Sequence, residues 1–188
     1  MQRVNPEGLY AVVQAALPHL TKPSSAGRII VVSPPIYSRF FRGKTAYAMG
    51  KVGMSVLTKG LAMDLARQEL DTRMAITSLW PAAAIQSAAT ESVTTADPAE
   101  TAELRTPAIF SDAVLAILHA EPGAVNGQLL LDEDFLRDHD GVTDFAKYSV
   151  VPGSTPRRIM PRQLPDLTVA EQDDEGRRYD SSKIKPKL

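Results

Sequence analysis

Cysteine is missing from all 188 residues, which removes disulfides, thiolate nucleophiles and cysteine-ligated zinc from consideration. Such a chain fits a reducing, intracellular setting. Histidine is scarce too: His19, His119 and His139 lie far apart, and none has a histidine partner at metal-ligand spacing. Nor does charge of one sign accumulate. The 21 Lys and Arg stand against 22 Asp and Glu, a balance that argues against a broad nucleic-acid-binding face. Long uninterrupted apolar runs are also absent: the uncharged stretch 74–90 is broken by Thr77, Ser78, Pro81, Gln86 and Ser87, so no membrane span is expected. The apolar run from Leu9 to Leu17 follows Asn5, Pro6 and Glu7 instead of a basic segment and ends at Pro18-His19 without a small-residue cleavage site. It reads as a helix, not as a leader.

What the chain does contain is enough apolar side chain, 44%, for one globular domain with a core. Asn5, Pro6 and Glu7 predict a helix start, with Leu9, Val12, Val13, Ala16 and Leu17 on one face and an end within Pro18 to Ser25. Arg28 to Ser33 holds consecutive β-branched residues without polar alternation, the pattern of a strand buried on both faces. A loop with Tyr37, Phe40 and Phe41 follows, then a helix from Ala46 to Leu70 carrying Gly50, Gly53 and Gly60. Glycine inside a helix costs up to about 1 kcal/mol relative to alanine, so three of them predict close approach by other groups. Further apolar segments predict a strand over Thr72–Trp80, a helix over Ile109–Ala120 and a strand over Gly127–Leu131. The alternation indicates an α/β fold, a Rossmann-like doubly wound parallel sheet of about three strands with flanking helices.

The chemistry-bearing pair is Tyr47 and Lys51. At i, i+4 on a helix they share one face, and an ammonium beside a phenol favours the phenolate, which suits acid/base work.

The strand ending in Ser33, Tyr47 with Lys51 opening the next helix, and the strand ending in Trp80-Pro81 together resemble the C-terminal half of the short-chain dehydrogenase/reductase family. Ser33-Pro34-Pro35, Gly53-Met54-Ser55, Ala84-Ile85 and Leu131-Asp132-Glu133-Asp134 look like its hydroxysteroid dehydrogenase-like branch. The resemblance covers about residues 1–153. It implies an oxidoreductase interconverting a carbonyl and an alcohol with NAD(P)(H), NADP(H) being favoured. Tyr47 is then the proton donor or acceptor, Lys51 lowers its pKa and binds the nicotinamide ribose, and Asn5 holds a relay water. Pro81, Ala84, Ile85 and Ser87 would meet the nicotinamide side. Ser33 is the candidate substrate-orienting serine, although family members place that serine where Pro34 stands here.

The family's glycine-rich turn, which receives the cofactor pyrophosphate at a helix N-terminus, has no counterpart in this sequence. A truncated, incomplete sheet is therefore expected, with cofactor binding and turnover by this chain alone in doubt. The alternative is a non-catalytic partner that pairs with a full-length relative through helices 5–20 and 46–70, as a homo- or hetero-oligomer. The expected substrate is a small, lipid-like carbonyl or alcohol compound, with no nucleic-acid partner. Residues 154–188 read as a polar, mostly disordered tail. It ends in Pro186-Lys187-Leu188, a variant of the peroxisomal S-K-L signal, so the expected location is cytoplasmic or peroxisomal.

Overall fold

The computed structural model describes residues 2–166. In chain order they form α1 (Gly8–Leu20), β1 (Arg28–Val32), α2 (Thr45–Arg67), β2 (Ala75–Trp80), β3 (Ala84–Ile85), α3 (Ala88–Ala96), β4 (Leu104–Arg105), α4 (Ala108–His119), the single turn α5 (Pro122–Val125), β5 (Leu129–Leu131) and α6 (Asp132–Asp140). The main sheet has three parallel strands in the order β1-β2-β5, with Arg28 opposite Ala75 and Trp80 opposite Leu131. Alternation along these strands separates two cores. Val31 and Ile76 pack with Met54, Ala62 and Leu65 of α2, while Ala75 and Leu79 meet Ile109, Ala113 and Ile117 of α4. Helices thus cover both faces, the layered α/β arrangement that the sequence alternation predicts.

Two local expectations need correction. β1 is not buried on both faces: Val31 is 1% exposed, but Val32 is 44% exposed. Among the described residues β1 pairs only with β2, so it is an edge strand with fewer neighbours than its composition suggests. Asn5 is not a helix cap, because Arg3–Glu7 already form a π-helical turn that runs directly into α1. The end of α1 falls within the expected 18–25, past Pro18, where the Thr21 amide and hydroxyl both donate to the Leu17 carbonyl, at 2.9 and 2.8 Å.

Of the α2 glycines, Gly50 meets the expectation of close approach, since a Cβ there would stand 3.3 Å from Asn5 Nδ2. Gly60 has nothing within 4 Å and does not meet it. The tighter requirement is at Gly127, where φ is +71° and a Cβ would lie 2.9 Å from the Ala62 Cβ. That glycine lets the chain enter β5 directly against α2.

Three elements lie outside the sequence expectation: the parallel β3–β4 pair, α3, and α6 following β5. The expected boundary at residue 153 also moves. Ile159 and Met160 both donate their amides to the Ala82 carbonyl, at 2.8 and 3.1 Å, and Met160 is buried with Ala82 and Leu131. Residues 154–166 therefore stay on the body; the rest of the expected tail, with Pro186-Lys187-Leu188, lies outside the described residues. No helix among the described residues is long and apolar enough to cross a membrane.

Candidate active site

The C-terminal ends of parallel strands are where layered α/β proteins receive ligands. Here β1, β2 and β3 end at an open cleft of about 1110 Å³, whose opposite wall is α4. Tyr47, in the first turn of α2, and Lys51, one turn further on, both line it. The i, i+4 spacing has therefore brought the phenol and the ammonium to one place, at the strand tips. Tyr47 is half-buried, with its ring 6.1 Å from the Phe40 ring. Lys51 Nζ donates to the Val32 carbonyl at 2.9 Å and lies 5.6 Å from the centre of the Trp80 ring.

The electrostatics differ from the sequence expectation. Burial raises the Tyr47 phenol above its ordinary 10.0 and lowers the Lys51 ammonium below 10.5. Both shifts have one cause: partial removal of water disfavours whichever form is charged. The expected lowering of the phenol by its lysine is absent because the ammonium is directed at Val32. The phenol is accordingly protonated near neutral pH.

Pro81, Ala84, Ile85 and Ser87 all reach the same cleft. Ser87 sits just before α3 and its amide donates to Thr90 Oγ1 at 3.0 Å, closing the helix start. Ser33 and Asn5 are placed elsewhere. Ser33 is fully buried; its hydroxyl lies 2.8 Å from Ser78 Oγ, and Ser78 Oγ in turn donates to the Ser33 carbonyl. Because the Ser78 proton is used in that bond, the Ser33 hydroxyl is the donor to Ser78 Oγ. Val32 takes the cleft-facing position instead, since consecutive residues of an extended chain point to opposite sides. Asn5 packs its amide against Gly50 on α2 and does not line the cleft.

Two contributors stand in the motifs named above but are assigned no role there. Trp80 supplies an indole wall beside Lys51. Asp132, 1% exposed, accepts through Oδ1 from the Ala82 amide at 2.8 Å and the Glu133 amide at 2.7 Å, which fixes the turn after Pro81. Its Oδ2 is buried without a partner, and burial pushes its pKa from 3.8 to about 6. The first of three consecutive acids after an apolar strand, Asp132-Glu133-Asp134, gives little warning of such a role in sequence.

No group of three His, Asp or Glu residues is arranged for a metal among the described residues. The donor set suits one end of a nicotinamide nucleotide. Lys51 uses one N–H on Val32 and has two more for ribose hydroxyls, beside the wall of Pro81, Ala84 and Ile85.

This constellation on a parallel layered sheet matches a known class. The family model for short chain dehydrogenase matches residues 1–95, and the chain belongs to that family. Within it, the similarity runs to hydroxysteroid dehydrogenase-like protein 2. The zebrafish (Danio rerio) protein is 34% identical over 155 residues, and the human protein 31% identical over 155 residues. Each alignment covers 81% of this chain and 35% of the relative, so the chain spans about a third of the length of these curated relatives. Among solved structures, a short chain dehydrogenase from Mycobacterium thermoresistibile is 31% identical with a TM-score of 0.68, covering 84% of this chain and 54% of that one. A Xanthomonas campestris protein described as a dehydrogenase is 33% identical with a TM-score of 0.68, covering 90% and 57%.

Proposed function

We propose that this chain supplies the proton-handling part of an NAD(P)-dependent oxidoreductase that interconverts a carbonyl and an alcohol. The observation that carries the reading is the placement of Tyr47 and Lys51 on one helix face, lining one cleft with Pro81, Ala84 and Ile85. A bound nicotinamide would supply or accept the hydride. Tyr47 then gives its proton to the carbonyl oxygen in reduction and takes it from the hydroxyl in oxidation. Lys51 orients the ribose and stabilises the phenolate once it forms. Ser33 has no role in this arrangement, its hydroxyl being committed to Ser78.

The sign of the pH dependence follows from the raised phenol. Reduction uses the protonated form that dominates at neutral pH, whereas oxidation needs phenolate and so gains rate as pH rises toward and past 10. In Tyr47→Phe, turnover falls by about 10²–10⁴-fold while NADPH binding, followed by Trp80 fluorescence, is retained. Unchanged turnover, or parallel loss of binding and turnover, would reject the assignment.

A second reading has its own support: α1 and α2 expose Tyr10, Val12, Met49, Val56 and Met63, each at 55% or more. Single apolar side chains on a surface are ordinary, but five on two adjoining helices suit a helical contact with a relative or a second copy. Sedimentation as a monomer at micromolar concentration, with no co-purifying relative, would remove this reading.

A further inference from the structure

Charge is distributed unevenly in the cleft. Its walls carry two ammonium groups, Lys44 and Lys51, and no Asp or Glu among the described residues. Much of the remaining wall is apolar, notably Trp80, Ile85, Phe110, Val114, Leu118 and Ile159. Lys51 is engaged by the Val32 carbonyl. Lys44 differs: it lies 4.8 Å from the centre of the Phe40 ring and 6.0 Å from that of Tyr47, and no carboxylate pairs with it among the described residues. It also stands at the start of the 23-residue α2, whose first turn contains no acid. A cation at the positive end of a helix is unfavourably placed, so an anion arriving beside it is attracted by the ammonium and relieves that juxtaposition.

We propose that Lys44 anchors an anionic group of the substrate and that the cleft takes amphiphilic carboxylates, with the apolar body against α4 and the carboxylate at Lys44 beside the phenol. Two features support this together. The apolar wall selects a body that leaves water, and the acid-free rim selects the sign of the head group. Uncharged ketones or alcohols of equal size gain nothing from the ammonium, while a dianionic or cationic body would lose the wall. The inference rests on the proposed oxidoreductase reading only in naming the ligand a substrate; the binding preference does not require turnover.

Trp80, the one tryptophan of the chain, lines the cleft and reports occupancy directly. Decanoate and decanol, titrated below their micelle-forming concentrations without cofactor, are matched probes that differ in the head group. Decanoate is expected to bind about three- to tenfold more tightly than decanol, the range for one solvent-accessible charge contact reinforced by a helix terminus. That preference disappears in Lys44→Met, persists in Lys44→Arg, and shrinks at high salt. The titration uses neither cofactor nor turnover, which separates this result from the test of the oxidoreductase reading. Equal binding of the two probes, or a preference that survives Lys44→Met, overturns the proposal. So does a Lys44→Met effect on NADPH with decanoate unaffected, since the lysine would then serve a nucleotide phosphate.

Discussion

Two clusters of ionisable groups lie on this fold, and they are built on opposite terms. At the strand tips, Tyr47 and Lys51 are half-buried, lack a carboxylate partner, and are both shifted toward neutrality by desolvation. Beneath the other wall, Arg105 and Glu133 are 6% and 4% exposed and bonded to each other at 2.9 Å. Arg105 also donates to the Phe145 carbonyl and to Ser149 Oγ, both at 2.9 Å. Arg158 adds a two-pronged contact with Asp134 at 2.8 and 2.7 Å. The buried ions are closed to further partners by geometry, whereas the cleft groups keep proton and hydrogen-bond capacity in reserve. The first arrangement holds a position; the second can accept a ligand.

Removing one member of each cluster sharpens this contrast. Glu133→Ala leaves a guanidinium in the interior without its carboxylate and should lower stability by about 3–5 kcal/mol, read from urea unfolding. A loss below about 1 kcal/mol would show that water reaches Arg105 and would dissolve the distinction. The next largest effect concerns Asp132, which belongs to the buried side but keeps an unpartnered oxygen. Its pKa in the folded chain, about 6, is above the ordinary 3.8, so ionisation opposes folding. The unfavourable contribution is absent below the ordinary value, grows as pH rises between the two, and is complete above about 6. Stability of the native sequence relative to Asp132→Asn should therefore increase by roughly 2–3 kcal/mol between pH 7 and pH 4. A difference that does not vary with pH in that window would mean Asp132 is solvated.

The same contrast explains how much was legible in the sequence. Tyr47 and Lys51 could be placed because helical spacing alone brings i and i+4 together, whatever surrounds them. The layered fold was legible for a similar reason: β-branched runs and 3.6-residue periods are local signals. What escaped depends on tertiary neighbours. Ser33 lies one residue from Val32, and only the direction in which β1 presents its side chains decides which of them meets the cleft. Asn5 has a cap's residue type, yet the backbone before it is already helical. The pKa of Tyr47 was expected to fall by pairing and instead rises by burial, since a lysine can turn its ammonium toward a carbonyl that the sequence does not reveal. The strap from Arg157 to Met160 reads as tail by composition; its place is fixed by the Ala82 carbonyl and the carboxylates of α6 and of residues 98–103.

Smaller effects test the boundary between the two kinds of cluster. Lys51→Met trades a partly desolvated ammonium and one hydrogen bond for an apolar chain of similar length, so stability should change by less than about 1 kcal/mol in either direction. A loss as large as that expected for Glu133→Ala would make Lys51 a structural group and not a reserved one. Smallest of all is Arg157, which meets Glu100 at 3.2 Å and Glu103 at 3.8 Å with 68% of its side chain exposed. Water screens these pairs and the long side chain loses freedom in forming them, so Arg157→Ala should cost under about 0.5 kcal/mol. Arg158→Ala, one residue on, removes the better buried fork on Asp134 and should cost more than Arg157→Ala in the same urea titration. Equal losses for the two arginines would mean that burial does not set the worth of an ion pair on this strap, and the division drawn between closed and open clusters would then rest on Arg105 and Glu133 alone.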